Sequence, residues 1–444
     1  KIYFEKELSF INSRSYGPGR YDPNYEENGR DYPLGYVRWT EGRNFEAIVA
    51  LLESGKLKVE SLITHRFPIE QAAEAYEIIT GKKKVPFLGV LLTYQVSGEE
   101  VSGIRYQVSG KTPLTPKHLT PDTVKLGVLG AGLFANATLL PALKKVKDVE
   151  LVGIASAAGL HAAHSGKKFG FRYACSDDEQ ILNDPEINTV LILTRHDSHT
   201  DLAVRALQAG KHVFVEKPLA LNSEQLSVIS NQLSVSSEQL LMVGFNRRFA
   251  PLAKSLSSFI LHRTEPLYAH YRINAGYIPL NHWTHDPEQG GGRIIGEGCH
   301  FIDFLTFLAG SEPVSVSAAA LPNGGKYRED NVSMTFTFAD GSVGVVDYLA
   351  NGDKSFPKER VEVFCGGQIA VLDDFRILQT TKDGKKKESK LASQDKGHFN
   401  EMQALVSAIR NGQPPIPYEQ LIGVTKASFA VVESIRNNGE QVTI

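Results

Sequence analysis

Short apolar runs separated by stretches of helical periodicity dominate the middle of the chain. KLGVLG, VELVGIAS, TVLILT, HVFVEK and LLMVGF follow one another between residues 124 and 244. Each has the length of a strand and the near-continuous apolarity of one covered on both faces. Their alternation with helical segments predicts an α/β domain with a doubly wound parallel sheet over residues 122–244. The pattern then changes: AHYRINAG, PVSVSAAAL, NVSMTFTF, SVGVVDYL, RVEVFCG and QIAVLDD read as strands. Two pairs of them join through tight Asp340-Gly341 and Gly366-Gly367 turns, as antiparallel hairpins do. In NVSMTFTF the residues Val332, Met334, Phe336 and Phe338 alternate with polar ones, so one face is expected to be buried and the other to meet water or a partner subunit. Residues 245–444 are thus expected to form an α+β domain on a largely antiparallel open sheet, with helices at residues 300–308, 398–411 and 418–437.

The first 93 residues hold less. A strand-like KELSFINSRS, a loop rich in Gly, Pro, Tyr and Asp at residues 17–36, and an amphipathic helix near residues 44–54 come first. THRFPIEQAAEAYEII follows, with Pro68 suited to a first helical turn, and a strand near residues 87–93 closes the segment. This is too little for a complete nucleotide-binding domain and predicts a small α/β remnant. Residues 94–121 turn to Ser, Gly, Thr and Pro, with YQVSG at Tyr94 and again at Tyr106, which reads as a linker. NSEQLSVISNQLSVSSEQ at residues 222–239 reads as a solvent-facing helix and loop.

A chain of 444 residues has room for two to four domains, and 42% hydrophobic with 22% charged residues is ordinary globular composition. Forty-eight basic against 50 acidic side chains leave a net charge of −2, which removes the electrostatic reason for nucleic acid or an anionic membrane as partner. Cys175, Cys299 and Cys365 lie far apart with no CxxC pair, so reduced thiols in a cytoplasmic protein are expected. No apolar run reaches the roughly 18 residues a membrane span needs, and KIYFEKELSF lacks a signal-peptide core. From the start at Lys1, inside a strand-like alternation, a fragment of something longer is expected.

Chemistry concentrates in two places. After the strand KLGVL comes Gly130-Ala131-Gly132-Leu133-Phe134-Ala135, and then the helical NATLLPALKKV. Gly130 permits the tight turn, Gly132 lets backbone approach a pyrophosphate, and Ala135 allows close helix packing, with phosphate at the helix N-terminus. The second strand lacks the usual terminal acid and runs into Ser156, which suits a ribose hydroxyl or a 2′-phosphate, so NAD and NADP stay open. His161 and Lys167 or Lys168 nearby have the chemistry to meet a phosphate, but read first as solvated helix residues. The second place is AGKHVFVEKPLA, a strand ending in Glu216-Lys217-Pro218. A lysine at the carboxyl end of a parallel strand lies in the ligand crevice, and Pro218 ends the strand there.

GAGLFA, TRHDSHTDLAVRALQAGKHVFVEKPLA, GFNRRF at residues 244–249 and GGGRIIGEGCHFIDF at residues 290–304 together resemble the Gfo/Idh/MocA family. These are nicotinamide-dependent oxidoreductases acting mostly on sugars, inositols and nucleotide sugars. The resemblance covers residue 124 to the C-terminus and implies a Rossmann domain followed by a substrate-binding and oligomerisation domain. It implies cofactor contacts from Gly130, Gly132, Leu133, Phe134, Ala135, Ser156, Thr194, His199, Glu216 and Lys217, with Thr194 beside the nicotinamide. It also implies Lys217 and His300 at the reacting carbon. A histidine with an ordinary pKa near ~6.5 suits proton transfer from a hydroxyl, whereas a lysine near ~10.4 suits polarising its oxygen.

One departure stands out: many members of that family carry an aspartate four residues before the histidine, and here that position is Gly296. Glu297 points elsewhere on a regular helix, while Asp303, three residues on, is placed to orient His300. For the substrate, Arg247 and Arg248 suit phosphate or carboxylate groups or a domain contact. Arg272, Asn274 and Trp283, ahead of the GGG loop, suit a sugar's hydroxyls and apolar face. His282 and His285 have no second ligand pair nearby, so no metal is expected.

SYGPGRYDPNYEENGRDYPLGYVRW and LLESGKLKVESLITHRFPIEQAAEAYEII resemble the C-terminal end of a medium-chain, alcohol-dehydrogenase-like protein, without its zinc ligands or glycine fingerprint. The expectation is an oxidoreductase that uses NAD or NADP on a secondary alcohol of a sugar, inositol or nucleotide sugar. It is expected to be a homodimer or homotetramer with no nucleic-acid or membrane partner. A redox-assisted glycosidase or lyase, and a non-catalytic nucleotide sensor, remain as alternatives.

Overall fold

The computed structural model describes residues 18, 22, 25, 32–33, 37–53, 56–59, 62–80, 82–83, 85–93, 123–157, 159–235 and 239–444. The strand expected at KELSFINSRS and the linker over residues 94–121 lie outside them, as does most of the loop at residues 17–36. The chain divides into two compact units, Lys1–Pro113 and Leu114–Ile444.

In the first unit a helix at Glu41–Glu53 precedes strand β1 (Ile63–Pro68), a 3-10 turn Ile69–Gln71, a helix Ala72–Ile79 and strand β2 (Gly89–Thr93). The strands β1 and β2 pair in parallel. Pro68 therefore closes a strand and caps the turn, rather than opening a helix: the β-branched and aromatic positions of ITHRFP favour extended backbone, which the residue before a proline also prefers. Among the described residues of this unit, Ala75 and Ile78 are the only buried apolar side chains.

The second unit begins with six parallel strands: β3 (Val124–Leu129), β4 (Val149–Ala155), β5 (Tyr173–Cys175), β6 (Thr189–Ile192), β7 (His212–Val215) and β8 (Leu241–Val243). Their order is β5-β4-β3-β6-β7-β8, so the winding reverses between β3 and β6. Ligands of such sheets bind at that reversal, beyond the carboxyl ends of the strands. Strand β5 escapes the hydrophobic pattern because it has only three residues. The helix Ser223–Val235, expected to face solvent, buries Leu226, Ile229 and Leu233 in the core, beside the helices His199–Gln208 and Tyr418–Arg436.

The rest is a nine-stranded sheet: β9 (Tyr268–Asn274), β10 (Pro313–Ala320), β11 (Asn331–Phe338), β12 (Val343–Leu349), β13 (Glu359–Cys365), β14 (Gln368–Asp373), β15 (Ile377–Lys382), β16 (Lys385–Lys390) and β17 (Val442–Thr443). Only the β9 and β12 pair is parallel; every other pairing is antiparallel. Helices Cys299–Ala309 and Tyr418–Arg436 cover one face. Val332, Met334, Phe336 and Phe338 point into it and are buried, at roughly 1.5–3 kcal/mol per side chain. The β15–β16 hairpin was not legible because its second strand, KKKESK, is polar and exposed throughout, a charged edge that discourages further pairing. One continuous apolar core joins both halves of this unit.

Candidate active site

The turn after β3 is built around two glycines with different constraints. Gly130 has φ 103°, and a Cβ there would lie 2.5 Å from the Leu193 carbonyl oxygen, so no side chain fits. A Cβ on Gly132 would meet nothing within 4 Å, because that residue faces an open crevice. Ala135 is buried in the first helical turn, and the Asn136 amide donates to the carbonyls of Ala131 (2.9 Å) and Gly132 (3.0 Å), tying the loop to the helix.

The crevice has about 850 Å³ and is lined by Gly130, Gly132, Leu133, Phe134, Ala135, Ser156, His161 and Thr194, among others. Its volume, the bare Gly132 and the backbone amides at the helix start fit a dinucleotide. His161, an exposed helix residue as expected, also lies on its wall. Arg205 at the far side is held by Asp178 (2.9 Å), Glu179 and Asp201 (3.1 Å).

A second chamber, of about 400 Å³, abuts the first at Phe134, Leu193, Thr194 and Trp283. Lys217 and His300, far apart in the chain, both line it, with Glu216, His196, His199, Arg247, Glu297 and His398. Glu216, Lys217 and His199 border this chamber only, whereas Thr194 borders both. Lys217 leaves the end of β7, and its Nζ donates to the Gly296 carbonyl at 3.0 Å. His199 is fully enclosed between the Pro218 (2.8 Å) and Thr194 (3.3 Å) carbonyls, and burial pushes it down to about 4. It braces the two strand ends rather than reaching the crevice.

His300 opens the helix Cys299–Ala309. Burial, and then the charges of Arg247 and Lys217, hold its imidazole well below the ordinary histidine range, so it is neutral at pH 7. Its Nδ1 is enclosed and makes no hydrogen bond within the chain. Asp303 does not orient it. That carboxylate is buried against Arg248, which binds it through Nε at 3.1 Å and through a second guanidinium nitrogen. A two-pronged guanidinium contact is the stronger attraction for a buried carboxylate.

Gly296 lies in a π-helical turn, Ile294–Gly298. A Cβ there would sit 2.8 Å from the His196 ring and 2.9 Å from the Gly290 carbonyl, so no acid fits at this position. The wider π turn changes the register of the next residue. Glu297 therefore lines the chamber, contrary to the regular-helix expectation, and is bound by Tyr348 (2.5 Å), Lys358 (2.8 Å) and Arg293 (2.9 Å). Burial works against ionisation, but the charges of Lys358, Arg293 and Lys217 outweigh it and keep this carboxyl below the usual range.

Two expected substrate contacts lie elsewhere. Arg272 stacks over Phe356 at 4.7 Å and donates to the Pro357 carbonyl at 2.9 Å. Asn274 donates to the carbonyls of Asp353 (2.6 Å) and Phe356 (3.2 Å). Both fasten the 351–357 loop to β9, which satisfies polar groups that burial takes from water. Arg247 touches the chamber, but its guanidinium makes two bonds to Glu359, at 2.8 and 2.9 Å. Trp283 stands at the junction of crevice and chamber, under Arg195 at 5.5 Å. His285 contacts the Ile278 carbonyl at 3.2 Å, and no metal-binding cluster occurs among the described residues.

Sequence reasoning missed His196, Glu297, His398 and Glu401. The first had a signal, its place just past β6 on the ligand side of the sheet. The last two had none, since only the docking of helix His398–Asn411 brings them near Glu216. Glu401 is fully buried and neither oxygen makes a hydrogen bond within the chain. Burial and then Asp303 push its carboxyl well up, while burial and then Glu401 push Glu216 up to about 7. A carboxyl whose folded pKa is raised binds its proton more tightly when folded, so stability falls as pH rises from the unfolded value toward the folded one. Glu401→Gln is expected to raise the melting temperature at pH 7 more than at pH 4.5; an equal change at both would reject the assignment.

Two family models match the chain: "Oxidoreductase family, NAD-binding Rossmann fold" over residues 124–245 and "GFO/IDH/MocA C-terminal domain" over residues 265–367. The chain is 29% identical over 228 residues to inositol 2-dehydrogenase 2 of Saccharopolyspora erythraea, covering 50% of this chain and 65% of that protein. It is 27% identical over 317 residues to inositol 2-dehydrogenase of Rhizobium meliloti, covering 66% and 91%. A solved levoglucosan dehydrogenase in complex with NADH and levoglucosan superposes with a TM-score of 0.64 at 22% identity, over 72% of this chain and 99% of that one.

Proposed function

The chain belongs to the Gfo/Idh/MocA family of NAD-binding oxidoreductases, and on that premise we propose that it oxidises a secondary alcohol of a sugar or cyclic polyol in the chamber beside the glycine turn. The observation that carries this reading is that Lys217 and His300 face one chamber, and that this chamber abuts the crevice at Thr194 and Trp283. The chemistry supplied by a bound nicotinamide dinucleotide is acceptance of hydride from the carbinol carbon. Gly130, Gly132 and Ser156 would hold the dinucleotide in the crevice, and Thr194, which borders both cavities, would stand between it and the substrate. The Lys217 ammonium polarises the substrate oxygen. His300, which lines the same chamber, takes the hydroxyl proton.

The wider assembly follows the same reading. The open face of the nine-stranded sheet, where Tyr268 and Phe364 stand exposed with ring centroids 6.4 Å apart, forms the interface of a homodimer or homotetramer. Residues 1–93 are the C-terminal piece of a medium-chain dehydrogenase, in keeping with the parallel β1 and β2 pair. Three free cysteines suit the cytoplasm, and no helix among the described residues is long and apolar enough to cross a membrane. Titration of intrinsic fluorescence with NADH and NADPH, followed by a polyol panel read at the nicotinamide absorbance, tests the proposal. Saturable NADH binding and NADH formation with a polyol are expected. Cleavage of a glycoside without net NADH would replace it with the lyase reading, and binding without turnover with the sensor reading.

A further inference from the structure

The imidazole of His196 stands in the space that the missing side chain of residue 296 would need. Three contacts hold it there. Its Nδ1 lies 2.9 Å from the Gly290 carbonyl oxygen. One ring edge rests on Gly296, whose Cβ, if present, would lie 2.8 Å from the histidine Cε1. The Trp283 ring meets it edge-on at 4.8 Å. A carbonyl can only accept, so Nδ1 carries the proton and donates it. In a neutral ring Nε2 is then a bare acceptor.

The ring is neutral at pH 7. Burial, and then the positive charge of Lys217, push it down to about 3. The other titratable neighbour, His199 at 5.6 Å, is itself pushed down to about 4, by burial first. Nε2 makes no hydrogen bond within the chain, and it is not among the fully enclosed polar atoms. It is open, and the cavity that His196 lines is the chamber with Lys217 and His300, not the dinucleotide crevice. The carbonyl of the same glycine accepts from Lys217 Nζ at 3.0 Å.

We infer that His196 Nε2 accepts a hydrogen bond from a second hydroxyl on the same ring as the one oxidised, so that the chamber selects polyols over their deoxy analogues at that position. The inference rests on the function proposed above and names the substrate feature that site reads. A group that only accepts suits a hydroxyl donor and gives nothing to an ether, a carboxylate or a phosphate oxygen. An imidazole that stays neutral also leaves the proton of the reaction to the other residues of the chamber, so His196 orients and does not titrate.

Two measurements test it. In ¹⁵N spectra of histidine-labelled full-length protein, the unprotonated Nε2 signal of His196, assigned by its loss in His196→Phe, is expected to shift when myo-inositol is added to the NADH complex, and to stay put when NADH alone is added. In turnover, wild type is expected to prefer myo-inositol over one of its monodeoxy analogues by about 10- to 100-fold, the effect of one unpaired polar group in a closed site. His196→Phe is expected to erase that preference while binding NADH as wild type does. An Nε2 signal that answers to NADH but not to the polyol overturns the inference, as does a variant that discriminates among the analogues like wild type. A wild type that binds NADH yet neither binds nor oxidises any polyol overturns instead the function on which the inference stands.

Discussion

Lys217→Ala is expected to lower kcat for polyol oxidation by about 10³-fold, within the range of 10²–10⁴ contributed by positioned proton-handling groups, while the NADH dissociation constant stays within a factor of two or so. The split follows from the position of the side chain. Lys217 borders the chamber and not the crevice, and its ammonium group is fixed by one bond to the Gly296 carbonyl rather than by an ion pair. Losing it leaves the glycine turn intact but removes the charge facing the substrate oxygen. Lys217→Arg is expected to recover little, since a planar guanidinium cannot place a compact charge where one carbonyl and one hydroxyl converge. Steady-state kinetics beside NADH fluorescence titration decides the matter. Parallel losses in kcat and NADH affinity would move Lys217 into the cofactor site, and an unchanged kcat would remove it from the chemistry.

What the sequence made legible are the features that local pattern dictates. The strand KLGVL and the turn GAGLFA can be read because apolar continuity and glycine spacing act over a few residues, and β3 with Gly130 stands where they place it. The same holds for NVSMTFTF, whose alternation is the alternation of burial. Features set by partners distant in the chain were misread. Asp303 and His300 are three apart on a helix, and spacing alone makes them neighbours, but Arg248 arrives from another element and binds the carboxylate more strongly. Arg272 and Asn274 have the functional groups that a sugar wants, yet loop residues Asp353, Phe356 and Pro357 engage them first. Glu297 was misplaced for a different reason: a π turn, which no periodicity announces, rotates it into the chamber.

Arg247 separates a structural reading of the chamber wall from a substrate-binding one, and here the expected effect is on stability. Arg247→Met is expected to destabilise the fold by about 3–5 kcal/mol at pH 7, because removing one partner of a buried ion pair strands the other. The stranded group is Glu359, buried under two Arg247 bonds and retaining only Lys396 at 2.6 Å and the Tyr271 hydroxyl. In the wild type burial opposes ionisation of Glu359, but Arg247 and Lys396 overcome it and hold its pKa below the usual range. A carboxyl depressed in the fold adds stability that is full above its unfolded pKa and is lost as pH falls through the folded value. Without Arg247, burial, the largest influence on Glu359, is opposed chiefly by Lys396 and raises the carboxyl, so Glu359 picks up its proton at a higher pH and the penalty eases. The gap in urea midpoint between variant and wild type is therefore expected to be widest near pH 7 and to narrow by pH 4. A gap that does not depend on pH would mean that lost packing over Phe301, not the ion pair, sets the stability. Unchanged midpoints with a raised KM would return Arg247 to the substrate.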